Sequence, residues 1–309
     1  MLNYLIILVA LATGALLLYP KVANALLWRA AITPLASIIG SGFLVLGPIL
    51  VASFGQYAPL VMVALCSFAY LFGAAIRFNI MRLATYSGVR SVSEEKLETL
   101  SSWALAFAYI ISVAYYLNLL GSFAVSLTPF NDAFHAQLVT SGVFALVLVV
   151  GWTKGFKALE RMEQITVGVK LSIIAGLLFG LGWFFIDKVV ARELVSEPAT
   201  VTGWQAIALV AGLLVTVQGF ETSRYLGDEY LPLTRIRSMR LSQWISTAIY
   251  MIYIAFLSYV FIPENLELSE TAIIDLMVVV APILPLLLIV AAISAQFSAA
   301  VADTGGSGG

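Results

Sequence analysis

Nine long runs of apolar residues set the terms for this chain. They fall at 2–19, 31–53, 58–80, 101–127, 137–152, 165–186, 204–223, 242–262 and 273–302, and almost all of the charge lies between them. A helix of about 20 apolar residues crosses the hydrocarbon core of a bilayer. A membrane strand would instead alternate apolar and polar residues over roughly ten positions, and these runs are continuous. The expectation is an all-α integral membrane protein with about nine transmembrane helices and the lipid bilayer as its first partner. Composition agrees: 61% of residues are hydrophobic and 11% charged, against roughly a quarter charged in a soluble domain. A net charge of −1 argues against a nucleic-acid partner. The first run, LNYLIILVALATGALLLY, lacks the basic start and small-residue cleavage site of a signal peptide and reads as a retained helix. Cys66, the single cysteine, sits in an apolar run and reads as a small buried hydrophobe.

Charge sets the orientation. If the 20–30 loop is cytoplasmic and the spans alternate, thirteen of the 16 Lys and Arg residues fall inside, Lys188 and Arg192 fall outside, and Lys170 lies within a span. Basic residues favour the cytoplasmic side, so the N-terminus is expected outside and the C-terminus inside a cell (inner or plasma) membrane. In one cytoplasmic loop, Ser91-Val-Ser-Glu94 has the spacing of a capping box, which predicts a short interfacial helix there. His135, in an outer loop, calls for no functional role.

Two spans carry interruptions. Residues 36–43 read ASIIGSGF, and residues 214–229 read LVTVQGFETSRYLGDE. Glycines weaken a helix, and an ionisable residue such as Glu221 inside a membrane faces a cavity or a partner. The plainer alternatives are close helix packing at the glycines and an i,i+3 pair of Glu221 with Arg224. Setting residues 2–19 aside, the interrupted spans are the first and sixth of a series, five apart, so they cross in opposite directions. Glycine-interrupted segments at matching positions of two inverted halves point to a secondary-transporter binding site. Pro34 and Pro48 bracket the first interruption and favour a bent span.

ASIIGSGF resembles the first core helix of the amino acid–polyamine–organocation (APC) superfamily. GFETSRYLGDEYLPLTRIRSMR resembles that family's sixth helix and following loop, and EQITVGVKLSIIAGLLFG its fifth helix with a lysine at the place of Lys170. The resemblance covers about 31–302 and implies a LeuT-like inverted-repeat core with broken first and sixth helices. Residues 1–30 then form an extra N-terminal helix and loop, as in sodium:solute symporters. Residues 31–186 form a first five-helix repeat, 204–302 the first three helices of the second, and 303–309 a flexible Gly/Ser tail. A ten-helix core needs two more helices after residue 302.

Several site residues follow from this resemblance. Gly40, Ser41 and Gly42 are expected to hold a substrate carboxylate on helix-terminal N–H groups. Carbonyls near Gln218 and Gly219 would take a substrate ammonium, with Glu221 nearby. Phe43, Phe220 and either Tyr115 or Tyr116 would close over the substrate. In sodium-coupled relatives an ion bridges core helices 1 and 8. Here Ala36 and Ile39 match the helix 1 carbonyls, and Ala295 and Ser298 match one helix 8 pair, but the second hydroxyl position is Ala299. Sodium wants about five oxygen ligands. The Lys170 ammonium is the expected replacement, because burial lets a lysine lose its proton. The alternative is that Lys170 snorkels to the cytoplasm, and Asp303 is expected at the cytoplasmic surface.

The leading expectation is a secondary transporter for a small amino acid or related organic solute, proton-coupled or exchange-driven, with H+ or Na+ as the possible coupling ion and no other cofactor. A sodium-coupled symporter and a transporter-like sensor domain are the alternatives. A metal-ion carrier of this fold would need Asp, Asn and Met at the interruptions, which Gly40-Ser41-Gly42 and Gly219-Phe220 lack, so no metal site is expected. No enzyme motif stands out.

Overall fold

A computed structural model describes residues 1–40, 42–85, 91–126, 128–227, 229–262 and 272–307. Among them there are helices and no strand. In chain order the α-helices are α1 (Leu2–Leu18), α2 (Pro20–Ala23), α3 (Leu26–Ile38), α4 (Gly42–Phe54), α5 (Ala58–Thr85), α6 (Val92–Val125), α7 (Ala133–Lys154), α8 (Phe156–Ala191), α9 (Gly203–Leu213), α10 (Pro232–Val260), α11 (Ala272–Met277) and α12 (Leu284–Ser307). Seven helical stretches are long and apolar enough to cross a membrane, and Leu2–Leu18 and Leu26–Ile38 are shorter apolar helices. Among the described residues all nine apolar runs are helical, two of them broken at the expected glycines and a third near Pro282.

Three expectations are corrected. The capping box forms, with Ser91 Oγ accepting from Glu94 N at 3.2 Å and Glu94 Oε2 accepting from Ser91 N at 2.8 Å. It starts no separate interfacial helix, because residues 92–120 contain neither glycine nor proline and the helix continues as the 34-residue α6. The last run, 273–302, is not one span. α11 stops at Met277 and α12 begins at Leu284, with Pro282 in between and Pro285 in the first turn of α12, where proline costs little. The tail expected at 303–309 begins inside α12, which runs on to Ser307.

The core is built around the broken span. α10 packs on α3 and α5, while α12 packs on α6, α8 and α3. α10 carries a polar stripe, Ser238, Ser242, Gln243, Ser246, Tyr250 and Tyr253, all buried. Their bonds go into the protein: Ser242 Oγ donates to Ala31 O at 3.1 Å and Gln243 Nε2 to Ala69 O at 2.9 Å. Without water, each such group must find a protein partner.

α1 docks on α8 through small residues. Gly168, Ser172, Gly176 and Gly180 recur every four positions and so share one face of α8. A Cβ at Gly176 would stand 3.1 Å from the Ile6 carbonyl oxygen, and one at Gly14 would stand 3.1 Å from Ser172 Oγ. Ile6 is fully buried there. On the opposite side of the molecule from α2, the segment after α8 is strapped to the ends of α4 and α10: Gln56 N donates to Glu197 O, Val195 N to Tyr259 O, and Thr200 Oγ1 to Ala52 O at 2.8 Å.

Candidate functional site: two helix breaks in contact

The first break opens where α3 ends at Ile38. Ile39 leaves helical geometry at φ −92°, ψ 62°, and α4 resumes at Gly42. Ser41 lies outside the described residues. In the second interrupted span α9 gives way to a 3-10 turn at Leu214–Val217. Gln218 is extended, and Gly219 adopts φ +113° before a second 3-10 turn, Phe220–Tyr225. A φ of this sign is open to glycine at little cost. The position is also crowded: a Cβ on Gly219 would stand 2.6 Å from Ser37 Oγ and 2.7 Å from Ile38 N. One on Gly42 would stand 3.0 Å from Thr216 Cβ. The two breaks therefore lie backbone against backbone.

Tyr250 of α10 joins them. Its hydroxyl is 3.0 Å from Ile38 O and 2.9 Å from Thr216 O, one carbonyl from each break. Phe43 is buried beside it, with ring centroids 5.6 Å from Tyr250 and 4.6 Å from Tyr253. Phe220 is buried as well. Of the two candidate tyrosines, Tyr116 is the one at the break: its ring edge is 3.7 Å from the place a Gly40 Cβ would take, with Ala299 Cβ at 3.5 Å on the same side. Tyr115 is 47% exposed. Adjacent helical residues point about 100° apart, so only one of them can face α3. Gln218 is partly buried next to Gly219.

Lys170 is fully buried. Its ammonium donates to Ala36 O at 2.9 Å, Ile39 O at 2.7 Å and Ser298 Oγ at 2.9 Å. Ser298 Oγ passes a bond on to Ala295 O at 3.1 Å. All three ammonium donors are used, and the side chain does not snorkel. The face of α8 that carries Lys170 is turned to α3 and α12, so the amine ends between them. Glu163, seven residues earlier on the same face, is also buried and accepts from Thr33 Oγ1 at 3.3 Å. At the N-terminal end of this stripe, Glu160 takes Arg29 Nη2 on both oxygens, at 3.1 and 3.2 Å, and the Tyr230 hydroxyl at 2.9 Å. Burial and the Glu160 carboxylate push the Tyr230 phenol above its usual value, which keeps it a donor.

One carboxylate sets aside the plainer alternative and one departs from expectation. Glu221 does not pair with Arg224. Its Oε2 accepts the Gly219 N–H at 2.8 Å, closing a local loop around the glycine, while Arg224 pairs with Glu98 of α6. Asp303 is not at the surface. It is 2% exposed, and its Oδ1 accepts from Ser37 Oγ at 2.8 Å. α12 continues past residue 302, which keeps Asp303 inside the bundle. Sequence reasoning also missed Tyr250, Ser37 and Thr216; the polar stripe of α10 at helical spacing was the one signal available for Tyr250.

A family model described as an APC superfamily transporter matches residues 20–309. A protein of Aquifex aeolicus (strain VF5), described as an uncharacterized protein, is 40% identical over 306 residues, covering 94% of this chain and 72% of the relative.

Proposed function

The chain belongs to the APC superfamily of transporters, and on that footing we propose that it is a secondary carrier of a small amino acid or related organic solute, working by alternating access and driven by protons or by exchange rather than by sodium. It is a multi-pass membrane protein, and in this reading its N-terminus lies outside and its C-terminus in the cytoplasm. The observation that carries the coupling assignment is the Lys170 ammonium, bonded to Ala36 O, Ile39 O and Ser298 Oγ. It fills with a built-in cation the place where sodium-coupled relatives hold an ion. A built-in cation that can lose its proton turns a sodium site into a proton site. The helix breaks at Gly40–Gly42 and Gln218–Gly219 supply the backbone groups for the substrate: N–H donors at the start of α4 suit a carboxylate, and carbonyls near Gln218, with Glu221 beside them, suit an ammonium. Phe43, Phe220 and Tyr116 supply the apolar walls.

The test is uptake of radiolabelled amino acids into proteoliposomes, with imposed proton or sodium gradients. The expected result is accumulation or exchange that responds to pH and not to sodium, with Lys170→Ala folded but no longer pH-dependent. Transport that requires sodium and survives Lys170→Ala would overturn the coupling assignment. No uptake, exchange or binding across an amino-acid panel would overturn the substrate class.

A further inference from the structure

Where α1 ends, a cavity opens that the carrier reading does not use. Leu18, Asn24, Arg29, Glu160, Arg161 and Ile165 line a space of about 650 Å³ between the α1–α2 corner, α3 and the early turns of α8. Two contacts fix its walls. Gln164 Nε2 donates to Ala23 O at 2.7 Å, which ties the α2 segment to α8, and Arg29 of α3 is held to Glu160. The charges in this space do not cancel. The Glu160 carboxylate is already taken, by Arg29 Nη2 on both oxygens and by the Tyr230 hydroxyl. Arg29 meets it with one nitrogen, so the Nη1 and Nε edge of that guanidinium makes no bond among the described residues. The charge of Glu229 also reaches Arg29. Arg161 is exposed, and its side chain has no hydrogen bond or ion pair among the described residues. Two guanidinium groups with donors to spare therefore share a cavity with one spent carboxylate, and the Asn24 amide lines it with them.

Guanidinium forks of this kind match the oxygens of a phosphate. The position of the cavity says which phosphate reaches it. α1 packs on α8, while Tyr4, Leu8, Leu11 and Leu16 on its other faces are exposed, as on a helix that meets lipid. Its 17 residues make a rod about 26 Å long, close to the roughly 30 Å of a hydrocarbon core, so Leu18 lies near one edge of the bilayer. Tyr19 follows, exposed, and tyrosines of this kind sit at headgroup level. Lys21, next but one, is exposed as well. Leu18 and Ile165 give the cavity an exposed apolar wall on the lipid side. A phospholipid has the complementary form: a phosphate at headgroup depth and an acyl chain that continues down the helix. A basic pocket between spanning helices, near one end of them, is a recurring place for an anionic headgroup.

We propose that this cavity is a binding site for the phosphate of an anionic phospholipid, with Arg161 and the unused edge of Arg29 on the phosphate oxygens and an acyl chain along Leu18 and Ile165. In the topology given above, the lipid belongs to the cytoplasmic leaflet. The bound lipid joins α1, α3 and α8, three helices that the cavity already brings together. The test is native mass spectrometry and thermal shift on the purified full chain in detergent. Dioleoyl phosphatidylglycerol is the probe, and dioleoyl phosphatidylcholine, glycerol 3-phosphate and inorganic phosphate are run separately. Phosphatidylglycerol is expected to be retained in preference to phosphatidylcholine and to raise the thermal midpoint. Arg161→Ala is expected to lower its affinity about fivefold or more. Arg161 is exposed and unpaired, so the variant keeps its fold. Arg237→Ala removes an exposed arginine near the start of α10 and is expected to change nothing. Equal retention of the two lipids would overturn the site, as would phosphatidylglycerol binding that falls equally in Arg161→Ala and Arg237→Ala, or in neither. Glycerol 3-phosphate or inorganic phosphate binding as tightly as phosphatidylglycerol would overturn the lipid as occupant and assign the cavity to a soluble phosphate. None of these measurements needs transport, so the carrier reading stands or falls separately.

Discussion

Gly219 has little freedom to change. Gly219→Ala meets two costs at once, a φ of +113° that a side chain resists and a Cβ 2.6–2.7 Å from Ser37 and Ile38. The expected outcome is a loss of roughly 2–4 kcal/mol, read as a lowered thermal midpoint in detergent, with transport abolished even in protein that still folds. A variant as stable and active as the wild type would mean that the two breaks are not in contact. Much of this site was legible in the sequence. Lys170 stands out because membrane spans tolerate an ionisable residue only where it has a partner or a cavity, the glycines stand out by their matching positions in two spans, and the family resemblance supplied Ala36, Ile39 and Ser298 as partners. The misses have physical reasons too. Tyr115 and Tyr116 differ by one helical step, and periodicity alone does not say which side of α6 meets α3. Asp303 sits next to a Gly-rich stretch that reads as a tail, so its burial depends on α12 continuing past residue 302. Tyr250 acts through an aromatic hydroxyl in an apolar run, where a packing role is the ordinary reading.

At the scale of elements, glycine spacing decides how the first helix is held. The stripe Gly168, Ser172, Gly176, Gly180 lets α1 approach α8 closely, and the backbone carbonyl of Ile6 stands over Gly176. Gly176→Leu is expected to push α1 away from α8, at about 1–3 kcal/mol, while leaving the breaks intact. A lower thermal midpoint and faster proteolysis of the 20–25 segment, with substrate affinity retained, is the outcome to look for. α6 is held at its start by a cap instead. Its capping box is worth about 1 kcal/mol, so Ser91→Ala should fray the first turn, visible as faster amide exchange at residues 92–95 and little change beyond them. Hydropathy marks the elements themselves. Their ends were harder, because continuity depends on local breakers: residues 92–120 offer none, so α6 runs through, while Pro282 and Pro285 divide a run that is apolar from end to end.

For the whole molecule, the arrangement of charge makes a prediction about sidedness. Lys188 and Arg192 are the only basic residues assigned outside. In a Cys66→Ser background, Ser196→Cys should react with an impermeant maleimide in intact cells, and Lys96→Cys only after permeabilisation. Both positions are exposed. The reverse pattern would invert the topology and, with it, the direction in which the two breaks are read.

The tyrosine between the breaks has a consequence of its own. A hydroxyl owns one hydrogen, and the Tyr250 hydroxyl faces two carbonyls at nearly equal distance, 3.0 Å to Ile38 O and 2.9 Å to Thr216 O. Only one of them takes the hydrogen well at any instant, and the other keeps a weaker share. If the two backbone segments part, the hydrogen stays with whichever carbonyl remains near, and no buried donor is stranded. The joint therefore works like a double-throw contact, closed to one side or the other and never open. Tyr250→Phe removes that arrangement and leaves two buried carbonyls with less to accept, at about 1–3 kcal/mol. The loss should be felt more in turnover than in substrate affinity, which uptake kinetics alongside equilibrium binding would separate.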